Sequence, residues 1–331
     1  MQHTGVMSSA QVAANAANTI SEFVSHEQIR SLSDLHDVLF GSSSAVDDHD
    51  SPSSLSSTVV VVLCASAVLC TAETVLSWLR ELVTPVESPT QSHSIVLVLC
   101  GGIGHSTQLM HEAVRRHPRY NQVADQIHGL PEERILQVIA ERFFHLKVHD
   151  RNGGPIGQLQ GQGLVILVED ASTNCALNAK YTRQLLDSHG LDSPRSFVVA
   201  QDPTMCRRTV AAFEHVYADK QDKSPLFASW PTFVPRVAVK ETRPTTEPAD
   251  LVSSLDFVVH GMHDNRKDCL WSMNRFLDLL VGEIPRMRDD ESGYGPRGKG
   301  SIVHVDIPLH VEDAWKTLGE QLGNTGRTRI A

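Results

Sequence analysis

No apolar run in this chain is long enough to cross a bilayer. The best, residues 58–70, is short and contains Ser66, whereas a spanning helix needs about 20 apolar residues. Basic charge is also in short supply. The 29 Lys and Arg face 39 Asp and Glu, for a net charge of −10. A nucleic-acid surface needs a basic stripe, and an anionic membrane attracts the same charge, so neither is an expected partner. The six cysteines include no C-x-x-C pair. Disulfide frameworks belong to small secreted domains, so these cysteines read as reduced packing thiols. The 17 histidines form no H-E-x-x-H or H-x-H pattern, and no metal is expected. The first residues lack a basic stretch followed by an apolar one, so a cytoplasmic location is expected rather than a secretory leader.

What is present is alternation. Hydrophobic residues make up 41% of 331 positions, ample for one large α/β domain plus a smaller unit. Residues 11–24 have helical apolar spacing and 32–40 suggest a second short helix, before a Ser- and Asp-rich stretch at 41–57 read as a mobile loop. Runs of β-branched residues at 58–63, 95–99, 164–168 and 196–199 read as strands buried on both faces, as parallel sheets require. Helical patterns follow each of them, at 72–82, 108–116, 131–144, 176–188 and from about 205 to 217. Pro131 stands at the favoured first position of its helix, with Glu132 and Glu133 at the positive end of the dipole. Residues 85–92 read as a connector and 147–163, with five glycines, as a surface excursion. Four strand–helix alternations predict a doubly wound parallel α/β sheet. After residue 218 the pattern changes. One further strand is expected at 256–259, a helix at 271–281, an edge-like strand at 302–307 and a last helix at 311–322. Composition alone reads 289–300 as disordered. The implied organisation is an N-terminal helix and mobile loop (1–57), a Rossmann-like domain (58–218) and a smaller C-terminal lobe (219–331).

Ligands of open parallel sheets bind beyond the carboxyl ends of the strands. The second strand ends in Gly101, Gly102 and Gly104, then His105, Ser106 and Thr107 at a helix start. Glycines let a ligand approach the backbone, and a hydroxyl cap leaves N–H groups for an anion. The third strand ends in Glu169 and Asp170, which can take ribose hydroxyls or an amine, or act as a base, and then in Ser172, Thr173 and Asn174. Asn178 lies one helical turn beyond Asn174 and faces the same way. The fourth end carries Gln201, Asp202, Thr204, Arg207 and Arg208. An Asp–Arg pair there could close the site or hold a carboxylate. His105 is the histidine available for acid–base work.

The segments 101–107, 169–175 and 201–208 together resemble the YdcF-like branch of an uncharacterised-domain family that also includes SanA and ElyC. The likeness continues through Gly282-Glu283-Ile284-Pro285-Arg286-Met287-Arg288-Asp289-Asp290, Gly293-Tyr294-Gly295-Pro296-Arg297-Gly298 and Val303-His304-Val305-Asp306. It implies a Rossmann-like doubly wound parallel sheet with a smaller C-terminal lobe, and S-adenosylmethionine as the ligand. It also implies that Glu132 faces the cleft from a helix start and that 289–300 is ordered, with Arg286, Arg288 and Arg297 near the cleft. The chain departs from the family pattern at Ala65-Ser66, where Gly-Asn is usual, and at Leu177, where an acid commonly precedes Asn178. The stretches 41–57 and 147–163 look like insertions.

The expectation is therefore a protein that binds a nucleotide-type small molecule at the strand ends. Three classes stay open. One is ligand binding without an assigned reaction. Another is an enzyme of transferase or hydrolase type on an activated phosphate or acyl compound, with His105, Glu132 and Asp170 as catalytic candidates. The third is a non-catalytic scaffold.

Overall fold

The structure, a computed structural model, describes residues 7–41, 58–83, 95–149, 164–241, 250–258 and 269–323. The stretch 42–57, the connector 85–92 and most of the excursion 147–163 lie outside the described residues.

Five parallel strands form the central sheet: β1 (Val59–Cys64), β2 (Ile95–Cys100), β3 (Leu164–Glu169), β4 (Ser196–Ala200) and β5 (Leu226–Trp230), in the order β3-β2-β1-β4-β5. The Val- and Leu-rich runs alternate between two cores. Val59, Val61 and Leu63 face one side with Ile95, Leu97 and Leu99, while Val60, Val62 and Cys64 face the other with Val96, Val98 and Cys100. That two-sided burial is why these strands show no polar alternation. Helices α2 (Leu32–Phe40), α3 (Leu69–Val83), α4 (Thr107–Arg116) and α5 (Glu132–Phe144) contribute to one core. Helices α1 (Ser9–Ser25), α6 (Cys175–Ser188) and α7 (Cys206–Val216) contribute to the other. The sheet is thus doubly wound, and the chain reverses direction across it between β1 and β4.

The fifth strand was not expected. Leu226–Trp230 is a short edge segment whose first residue, Leu226, is 64% exposed, so it lacks the continuous apolar run of the other four. It also shifts the boundary of the C-terminal lobe, because its residues complete the main sheet. Beyond it lie an antiparallel pair, β6 (Arg236–Val239) with β7 (Leu255–Val258), and helices α8 (Met273–Met287) and α9 (Leu309–Gln321). The lobe shares its core with the sheet: Phe276, Leu280, Ile284 and Leu318 belong to the same apolar cluster as Ala13, Ile20, Val60 and Phe213. Residues 302–307 form no strand, so the expected edge strand is absent. The segment 289–300 is an ordered series of turns. Arg286, Arg288 and Gly293 accept backbone hydrogen bonds from Tyr294, Gly295 and Lys299. Its glycines serve that packing: a Cβ at Gly293 would lie 1.9 Å from the Arg288 carbonyl oxygen. Among the described residues no helix is long and apolar enough to cross a membrane.

Candidate functional site

All four strand ends named from the sequence contribute to one cavity of about 960 Å³. It is lined at those ends by Ala65, the glycine turn, the start of α6 and Gln201, and on its other side by α7, α8 and the turn 294–302. Among the expected site residues, Gly101, Gly102, Gly104, His105, Ser106, Glu132, Ser172, Thr173, Asn174, Asn178 and Gln201 line it.

The three glycine amides of the turn are occupied within the protein: Gly101 N–H donates to Glu169 O (3.2 Å), Gly102 N–H to Ser172 O (2.6 Å) and Gly104 N–H to Thr107 Oγ1 (2.8 Å). The glycines are needed for close packing. Gly101 has φ +139°, and a Cβ there would meet Ala65 Cβ at 2.8 Å. A Cβ at Gly102 would meet the carbonyl oxygens of Ser172 and Asp170 at 2.6 and 2.8 Å. Nor does Ser106 cap α4 through its side chain. Ser106 Oγ donates to Glu132 Oε1 (2.7 Å), as does Thr107 Oγ1 (3.0 Å). The turn therefore holds a carboxylate beside its bonded glycine amides.

Glu132 reaches this place because α5 docks end-on against the turn. Glu133 N–H donates to Gly101 O at 2.8 Å and Glu132 N–H to Gly102 O at 3.4 Å. Pro131 is the N-cap, in extended conformation, one residue earlier than its expected helical position. Burial pushes the Glu132 carboxyl above its ordinary range, opposed by the Ser106 and Thr107 hydroxyls.

Six expected site residues, Thr204 among them, lie outside the lining. Thr107 is buried behind the turn. Glu169 Oε1 accepts from the N–H groups of Ala171 and Ser172 (2.8 and 2.9 Å), so it shapes the loop after β3. Asp170 turns to Arg134, 3.2 Å away. Asp202 is buried and ties three elements together: it accepts from Ser66 Oγ (2.9 Å), Thr204 Oγ1 (2.7 Å) and Trp271 Nε1 (3.2 Å). Burial raises its carboxyl, and those donors oppose the rise. Arg207 donates to Phe23 O and stacks over the Phe23 ring, 4.1 Å from its centroid, on the α1 side. Of the acid–base candidates, His105 is exposed where it borders the cavity and Asp170 faces away from it.

In place of Arg207, the cavity has Arg208. Its guanidinium makes a bidentate pair with buried Glu283, Nε to Oε2 at 2.6 Å and Nη2 to Oε1 at 3.1 Å. Arg286 Nη1 adds a third bond to Glu283 Oε1 at 2.9 Å. Arg275 and Lys299 also line the cavity. Arg288 instead pairs with Glu312 (2.6 Å), and Arg297 with Asp289 (3.2 Å), so neither borders the cavity. The sequence points to Arg208 at the fourth strand end and to Arg286 through the resemblance. The lining residues not singled out carried a signal: Arg275, Leu279 and Glu283 recur at helical spacing with Arg286 on α8, and Met205 and Ala212 with Arg208 around α7, each set defining one face.

Asn174 caps α6 by accepting from Leu177 N–H at 3.0 Å, and it lines the cavity as well. All six cysteines are free. Cys64 and Cys100 lie side by side in the sheet with Sγ atoms 3.4 Å apart. Among the described residues, no group of three or more His, Cys, Asp or Glu side chains is placed to hold a metal ion. No protein-family model matches the chain.

Proposed function

We propose that this chain is a YdcF-like protein that binds a nucleotide-type small molecule in the cavity at the strand ends, with S-adenosylmethionine as the first compound to try. The observation that carries the reading is the two-poled lining of the cavity: a carboxylate at Glu132 on one side, arginines and a lysine on the other. A zwitterionic or anionic nucleoside offers donors to the first pole and acceptors to the second. Ile103, Leu177, Met205 and Ile302 supply apolar contact for a base, in keeping with ligand sites that are mostly apolar with a few placed polar groups. The cavity is open rather than filled by side chains, which speaks against a purely structural role.

Calorimetric titration of the full chain with S-adenosylmethionine, S-adenosylhomocysteine and adenosine tests the reading. Saturable binding of at least one, weakened by Glu132→Ala, is expected. Absence of heat with all three refutes it.

A second reading has one observation in its favour. Ser106 Oγ donates to the buried Glu132 carboxylate at 2.7 Å, the arrangement in which a base activates a hydroxyl nucleophile. On that reading the chain is an enzyme of transferase or hydrolase type on an activated phosphate or acyl compound, and Ser106→Ala abolishes turnover on a panel of such esters.

A further inference from the structure

The chain is acidic overall, yet one corner of the cavity is not. Arg208, Arg286 and Lys299 gather around Tyr294 and Glu283. The Lys299 ammonium lies 4.7 Å and the Arg208 guanidinium 5.7 Å from the Tyr294 ring centroid, and both arginines bond to Glu283. Two of these three cations bond to the one carboxylate and Lys299 lies over Tyr294, so two positive charges are left over. Among the described residues no carboxylate pairs with Lys299. The group is held in place. Arg208 and Glu283 are buried, and the turn that carries Lys299 is fixed by the Lys299 N–H bond to Gly293 O at 3.0 Å.

We infer that this corner binds the phosphate group of a phosphate-bearing ligand, held by Arg286 and Lys299 with Arg208 behind them. A phosphate monoester carries roughly −1.5 to −2 charge at neutral pH, which matches the surplus. A single carboxylate would leave one cation unmatched, and a sulfonium or ammonium would be repelled. Arginine donors also fit phosphate oxygens in pairs. At the glycine turn the three glycine amides are already bonded within the protein, and the side chain that the Ser106 and Thr107 hydroxyls hold there is the Glu132 carboxylate. This inference rests on the nucleotide reading above and narrows it, from adenosyl compounds in general to those bearing phosphate, with the ribose or base toward Glu132.

The experiment titrates the full chain calorimetrically with adenosine, AMP, S-adenosylmethionine and inorganic phosphate, for wild type and Lys299→Gln. Lys299 is exposed, so the variant is expected to keep its melting temperature; Arg286→Gln is the second variant. The expected result is AMP binding at least about tenfold tighter than adenosine, a difference of about 1.4 kcal/mol. Either variant removes most of that advantage and leaves adenosine affinity unchanged. Equal affinity for AMP and adenosine, or AMP affinity indifferent to both variants, overturns the inference while leaving the nucleotide reading standing. Binding of inorganic phosphate that depends on Lys299, with no response to any adenosyl compound, upholds the phosphate site and refutes the nucleotide reading. No response to any of the four refutes both.

Discussion

Glu133→Gln probes an ionisable group that the fold isolates beside the site. Glu133 is 0% exposed, in the first turn of α5, and neither carboxyl oxygen meets a hydrogen-bond donor. Its nearest cation is Arg134, whose Nε lies 3.5 Å from Oε1. Burial pushes the carboxyl from 4.5 up to about 7. Between those two values the folded chain holds a proton that the unfolded chain has released. Stability therefore falls as pH rises through this window and levels off above it. At 1.36 kcal/mol per pH unit the whole effect is about 3 kcal/mol. The amide keeps the volume and removes the titration, at a constant cost for its own unpaired donors. The clean quantity is the stability difference between variant and wild type, followed by urea unfolding at several pH values. It should shift by about 3 kcal/mol in favour of Gln between about pH 5 and about pH 8. A difference that stays constant across that range would falsify the argument, because Glu133 would then be ionised in the fold throughout.

Other perturbations have equally definite outcomes. Glu283→Ala strands buried Arg208 and should cost about 3–5 kcal/mol in chemical denaturation, whereas the double change Arg208→Met with Glu283→Leu should recover most of it. Gly102→Ala drives a Cβ into two carbonyl oxygens and should destabilise by about 1–3 kcal/mol. Gly104→Ala meets only Thr173 O at 3.5 Å and should melt within a degree or two of wild type, which separates packing from a general intolerance of the turn. Asp202→Ala leaves Ser66, Thr204 and Trp271 without their acceptor and should cost at least ~2 kcal/mol. Trp271 fluorescence should report the loss, and Asp202→Asn should be milder.

The sheet was legible because burial on both faces writes itself as unbroken runs such as Val59–Cys64. Where a strand is short and half-exposed, as Leu226–Trp230 is, that signal fades. The segment 289–300 misled composition for a related reason: its glycines and charges look solvated, but tight carbonyl contacts and pairs such as Arg297 with Asp289 consume them. The strand ends converge, and most of the residues named there line one cavity. Direction was harder to read. Arg207 and Arg208 are adjacent in sequence and lie about 100° apart around α7, so one lies over Phe23 and the other enters the cavity. Glu169, Asp170 and Asp202 look like ligand groups from their positions, but local backbone or side-chain donors claim them. Of the basic corner, the fourth strand end carries Arg208 and the resemblance pointed to Arg286, but Lys299 and the grouping of the three come from α8 and the turn after it. The face formed by Arg275, Leu279, Glu283 and Arg286 was the further hint.

The bonded amides of the glycine turn change what its sequence pattern means as a marker. Gly101 and Gly102 lock the ends of β2 and β3 against each other and against Ala65, so the constraint on them is steric and does not depend on any ligand. A chain that had exchanged its ligand, or lost it, would still lose stability on changing either glycine. Their pattern identifies proteins built alike at this corner of the sheet. On the reading proposed above, what such proteins bind has to be read elsewhere, at Lys299 and Arg286.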